Sequence, residues 1–105
     1  MSYRVIVDAA ANRDIEDHLA WLCEHAGVKY ALRVLDGFEA VLERLESNPL
    51  MYPKCEFLDG CALEKEYRGA ITGNYKVFYT VDDLRQEVAV CRVFHMSSDY
   101  THRLL

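Results

Sequence analysis

The 105-residue chain has only two prolines and five glycines, no CxxC pair, and no apolar run close to the roughly 18 residues that a membrane span requires. It also lacks a basic excess: 12 Lys and Arg stand against 17 Asp and Glu, a net charge of −5. The short apolar runs exclude a membrane helix. The opening stretch MSYRVIVDAA is too short and too polar for a signal peptide, so a cytoplasmic location is expected. Nonspecific nucleic-acid affinity comes mainly from basic groups that release counterions from phosphates, and the overall acidity argues against it. The four cysteines, Cys23, Cys55, Cys61 and Cys91, are scattered and are expected to stay reduced. The spacing of Cys55 and Cys61 matches no common zinc knuckle, so neither metal nor cofactor is implied.

What is present describes one soluble domain over residues 1–105, with 51% hydrophobic and 28% charged residues. The charge is unevenly spread. Residues 1–61 hold six Lys and Arg against eleven Asp and Glu, and residues 62–105 hold six of each, so all the net acidity lies in the first half. A local basic site in the second half remains compatible with this balance.

Tyr3 to Val7 is β-branched and bounded by Asp8, and predicts a short first strand. Ile15, Leu19, Leu22, Cys23 and Ala26 recur at helical spacing and end at Gly27, a suitable C-terminal cap, with Asp8 or Asn12 placed to cap the start. Trp21 lies off this stripe, with partial burial on the flank or a partner contact as its two readings. Val28, Ala31, Leu32, Leu35, Phe38, Leu42 and Leu45 trace a second helix that Asn48-Pro49 stops. Residues 48–61 read as an irregular connection. Three strands follow at Ala62–Arg68, Asn74–Val81 and Gln86–His95, joined by loops at Gly69–Gly73 and Asp82–Arg85. The fold class is α+β: an N-terminal strand, then an antiparallel helix hairpin packed on a mainly antiparallel four-stranded sheet, with the first strand at an edge.

Alternation in the middle strand sends Lys76 to the face opposite Tyr75, Val77 and Tyr79. A turn about Thr72 sets Arg68 across from Lys76, and a turn about Leu84 sets Lys76 across from Arg92. The result is a row of three cations on neighbouring strands, which like-charge repulsion makes unfavourable without a counter-anion. Glu64 and Glu66 on the same face offer solvated ion pairs as one answer; a phosphate or a partner carboxylate is the other. His95, at the end of the last strand, reads as a hydrogen-bonding residue or as an acid–base group beside that row, with Tyr100 and His102 in the tail that follows.

Taken together, the Asn-Pro after the second helix, the Tyr67-Arg68 step, YKVFYTVDD and VCRVFHMSSDYTHRLL resemble the RelE/ParE superfamily of bacterial type II toxins, known also as plasmid stabilisation proteins. The resemblance runs over nearly the whole chain. It implies a toxin held inactive by a cognate antitoxin. RelE-like members cleave mRNA on the ribosome and ParE-like members inhibit DNA gyrase; a weakly toxic relative is a third possibility. On the RelE-like reading, which the resemblance puts first, the enzyme is a metal-independent endoribonuclease. Arg68, Lys76 (in place of the usual arginine) and Arg92 orient the scissile phosphate, and His95 or Tyr100 moves the proton.

Overall fold

The computed structural model describes residues 2–55, 57–58, 61–62 and 66–97. The elements run β1 (Arg4–Val7), α1 (Ala9–His25), α2 (Val28–Ser47), a 3-10 turn (Pro49–Met51), β2 (Phe57–Leu58), β3 (Cys61–Ala62), β4 (Arg68–Thr72), β5 (Tyr75–Asp82) and β6 (Glu87–His95). The main sheet has the order β1-β6-β5-β4, while β2 and β3 pair with each other. β1 lies at one edge, parallel to β6, and the other pairings are antiparallel. The expected α+β arrangement is therefore present. No helix is long and apolar enough to cross a membrane.

Helix α1 begins six residues before its first expected apolar residue, with Asp8 at the N-cap position but making no side-chain cap bond. Both helix stripes are rotated slightly from the expected ones. Ala11 and Leu22 face the core from α1 and Cys23 is exposed; Ala31, Phe38, Val41 and Leu45 face it from α2, while Val28 and Leu32 are exposed. Steps of seven, three and four join the α2 set, which is the period of one helical face. These side chains meet Tyr75, Val77, Tyr79, Val88, Val90 and Val93 to form the core.

The largest departure from expectation is the β4 strand. Residues placed in a loop, Gly69 to Thr72, are strand, and the chain reverses tightly at Gly73-Asn74 with Thr72 paired to Tyr75. Gly73 has φ +58°, the conformation that a two-residue hairpin requires at its first central position and that glycine supplies without steric penalty. The Gly-Asn pair fixes the register of the entire hairpin.

Gly37 is where α2 approaches β4. A Cβ built there would collide with the Thr72 hydroxyl, nearer than real Cβ atoms come. Gly37→Ala is expected to destabilise by about 1 kcal/mol, because overpacking of ~1–3 kcal/mol exceeds the ~1 kcal/mol gained in helix propensity. Urea denaturation checks this, and in a Thr72→Ala background the same change is expected to stabilise.

Candidate functional site

The expected row of three cations does not form. In the β4–β5 hairpin Arg68 pairs with Tyr79, and Lys76 pairs with Ile71. Arg68 therefore shares the helix-side face with Tyr79 and Ala70, and Lys76 points to the opposite face. In the β5–β6 hairpin Lys76 pairs with Phe94 and Arg92 with Phe78. These two cations do share a face, but diagonally, with a phenyl ring directly opposite each. The Lys76 Nζ lies 5.3 Å from the Phe78 ring centre, and the Arg92 guanidinium lies 4.5 Å from that of Phe94. Each charge is set over the negative face of an aromatic ring on its own strand, so the like-charge problem is relieved without a bound anion. Phe78 and Phe94 are buried on this face, away from the helices. Cys55 Sγ and the Lys76 side chain both approach Gly69 here, and burial pushes the Cys55 thiol pKa up while Lys76 pulls it down.

Arg68 is engaged by the backbone. Its Nη1 donates to the Tyr52 carbonyl at 2.6 Å and to the Leu50 carbonyl at 3.4 Å. Tyr79, its cross-strand neighbour, donates its hydroxyl to the carbonyl of buried Pro49. One residue pair thus holds the connection after α2 at three carbonyls, which gives the Asn-Pro break a physical role: it turns the chain so that these oxygens face the sheet. Beyond it, Cys55 N–H donates to Tyr67 O and Gly69 N–H to Pro53 O, so the connection also covers the outer edge of β4. Lys54 forms an ion pair with Glu66 at 3.2 Å alongside Arg68, and Glu64 lies outside the described residues.

Arg92 is held by Asp14, a residue that sequence reasoning did not single out. The Arg92 Nε and Nη2 donate to Asp14 Oδ2 at 2.8 Å and Oδ1 at 3.0 Å, and the Val93 N–H donates to Oδ2 at 2.9 Å. The geometry follows from two features of the sheet. β1 stops at Val7, opposite Val90, so β6 has an open edge from there on. A register shift then passes over Cys91, pairing Tyr79 with Val90 but Phe78 with Arg92, and such a bulge bends the strand and re-aims its side chains. Asp14, one helical turn into α1, meets that edge and blocks it against strand addition. Its hydrogen bond raises the pKa of the Arg92 guanidinium above the usual arginine value.

His95 lies on the helix-side face at the far end of the sheet. Its ring meets Tyr75 edge-on at 5.2 Å, its Nδ1 lies 2.6 Å from the Ser97 Oγ, and the Ser97 N–H donates to that nitrogen at 3.2 Å. His18 of α1 approaches Tyr75 in the same edge-on manner at 5.1 Å. Together with Trp21, Leu22 and Tyr30 these rings line an open, mostly apolar groove of about 600 Å³ between the helix hairpin and the β4–β5 turn. Trp21 is 58% exposed and stacks on His25. Arg68 and His95 pair with Tyr79 and Tyr75, four residues apart on β5, or about 13 Å along the strand at ~3.3 Å per residue. The four expected site residues that are described are not brought to one point: Arg68, the Lys76–Arg92 pair and His95 occupy three places, and Tyr100, like Ser98 and His102, lies outside the described residues.

This architecture has known relatives. The chromosomal ParDE toxin–antitoxin system from P. aeruginosa contains a chain that superposes with a TM-score of 0.70 at 11% identity, covering 91% of this chain and 98% of that one. A chain of the RelBE2 toxin–antitoxin complex from Mycobacterium tuberculosis matches with a TM-score of 0.60 at 22% identity, covering 90% and 99%. A chain of the archaeal RelE–RelB complex from Pyrococcus horikoshii OT3 matches at 0.57 and 17% identity, covering 92% and 98%. No curated protein sequence matches the chain. The family model for the ParE toxin of the type II toxin-antitoxin system, parDE, matches residues 5–100. The chain belongs to this family of type II toxins.

Proposed function

We propose that this toxin acts by binding its target and not by cleaving it: a ParE-like inhibitor of DNA gyrase, silenced by a cognate antitoxin. The observation that carries this reading is the placement of the two arginines that RNA cleavage would need. Arg68 and Arg92 stand on different faces of the sheet, and their donors are turned to the carbonyls of Leu50 and Tyr52 and to Asp14. Stabilising the charge that develops on a phosphate requires donors converging on one point. Lys76 shares a face with Arg92 but not with Arg68, and His95 lies about 13 Å along the strand from Arg68, by the spacing of their β5 partners at ~3.3 Å per residue.

Induced expression without antitoxin, followed by a gyrase supercoiling assay and mapping of mRNA 5′ ends, tests the proposal. The expected outcome is loss of supercoiling and DNA damage with intact messages. Ribosome-dependent cuts within codons, with full supercoiling at high toxin excess, would establish the RelE-like endoribonuclease instead.

A further inference from the structure

The main sheet ends in β1 on one side and β4 on the other, and β6 is uncovered where it runs past β1. Asp14 blocks the β6 edge, and the connection after α2 covers β4 through the Cys55 and Gly69 amides. β1 has a guard only at Tyr3, whose N–H donates to the Glu46 carbonyl at the end of α2 at 2.7 Å. Arg4 and Asp8 turn their N–H groups inward, to the carbonyls of Gln86 and Val90. Alternation therefore turns the N–H and C=O groups of Val5 and Val7 outward, and among the described residues no strand pairs with them. The side chains of Val5 and Val7 pack against the core, so Arg4, Ile6 and Asp8 stand on the other face, all three exposed. Arg4 reaches Glu87 only at 3.9 Å with 77% of its side chain exposed. Asp8 makes no cap bond to α1 and is in no ion pair among the described residues.

We infer that the β1 edge receives β1 of a second copy of this chain, antiparallel about a two-fold axis at Ile6, so that two four-stranded sheets join into one. In that register Val5 of each copy lies opposite Val7 of the other, and each such pair exchanges both of its backbone bonds. Ile6 packs on Ile6 of the second copy, covering an apolar side chain that is 37% exposed. Each Arg4 meets the Asp8 of the other copy. Registers centred on Val5 or Val7 form fewer of these bonds, because Tyr3 is already held by Glu46 and Ala9 is helical, and they set Ile6 against Arg4 or Asp8. The occupant is assigned by this self-complementarity: charges of opposite sign flank Ile6 at equal spacing, whereas edge charges of one sign would repel a second copy. A pairing of five residues belongs to the small, weak class of interface, below ~1,200 Å² in total, so the dimer forms at high concentration.

Sedimentation velocity on the purified full chain, from about 5 µM to about 500 µM, tests the inference. The parent is expected to pass from monomer to dimer, with the Val5 and Val7 amides gaining protection from hydrogen exchange as the dimer fills. Arg4→Asp sets carboxylates against Asp8 and Asp8→Arg sets guanidinium groups against Arg4, and each alone is expected to weaken the dimer about tenfold or more. Mixing the two variants is expected to restore association, because each then supplies the charge that the other lacks, and the double variant should pair with itself. That rescue separates pairing from folding, and both side chains are exposed, so melting temperatures should move by a few degrees at most. A parent that stays monomeric throughout the range would overturn the inference. So would a dimer that both single variants leave intact, since another surface would then be responsible. Protection of Val5 and Val7 that appears only when the small protein encoded beside the gene is bound, with the free chain monomeric, would assign the edge to that partner and overturn it as well.

Discussion

Asp14→Ala lowers stability by about 3 kcal/mol and the melting temperature by roughly 10–20 °C for a domain of this size. The carboxylate accepts three hydrogen bonds that join α1 to the open edge of β6. Its side chain is 14% exposed and that of Arg92 is 28% exposed. Removing one partner of a buried ion pair costs ~3–5 kcal/mol, because the other charge is left desolvated and alone. Residual exposure of Arg92 discounts that figure, and the orphaned Val93 amide adds about 1 kcal/mol to it. Asp14→Asn keeps an acceptor for the amide and should lose about half as much. Glu16→Ala, exposed on the same helix, serves as the control and should stay within ~0.5 kcal/mol of the parent. Urea denaturation measures all three, and a loss below about 1 kcal/mol for Asp14→Ala would mean that the latch does not hold the sheet.

Raising the pH from about 10 to about 12 should remove a further 2–3 kcal/mol through Tyr79. Its ring is fully buried, its hydroxyl donates to the Pro49 carbonyl, and burial pushes its pKa up to about 12 from the model-peptide value of 10.0. The folded state thus keeps a proton that the unfolded chain releases first. The contribution is complete below pH 10, declines above it, and is gone once the folded-state value is passed. Two pKa units correspond to about 2.7 kcal/mol by linkage. Tyr79→Phe removes the titrating group and leaves the carbonyl without its donor, a cost of about 1–2 kcal/mol at neutral pH. Because Tyr3 and Tyr75 are shifted upward too, the diagnostic quantity is the difference between parent and Tyr79→Phe. That difference should shrink between pH 10 and 12 in alkaline denaturation curves; parallel curves would contradict the assignment.

The residues that carried the fold in the sequence were those with periodic local signals. Helix spacing located α1 and α2 to within a turn, and alternation located β5 and β6 almost to the residue. Register was the point of failure. The hairpin depends on Gly73-Asn74, but Gly69 to Gly73 contains two glycines and reads equally well as a loop, so Arg68 was set opposite Lys76 when its partner is Tyr79. The second hairpin was misjudged by two residues, through the loop before Glu87 and the bulge over Cys91, neither of which has a sequence mark beyond ordinary polarity. An even slip preserves the face, which is why Lys76 and Arg92 still share one. Asp14 was illegible for a different reason. Its role exists only because β1 ends at Val7 and exposes the β6 edge, 78 residues away from it in sequence at Arg92. Trp21 did give a signal, being apolar and off the helical stripe, and that signal pointed to the groove.

The most direct test of the arginines' role separates folding from action. Purified Arg68→Ala and Arg92→Ala proteins should be assayed at low temperature, where most molecules remain folded, for gyrase inhibition and for cleavage of mRNA on ribosomes, each per folded molecule. The expected result is lowered melting temperatures, unchanged gyrase inhibition per folded molecule and no RNA cleavage by the parent or either variant. RNA cleavage by the parent that disappears in a folded arginine variant would show that these side chains serve a phosphate and not the fold.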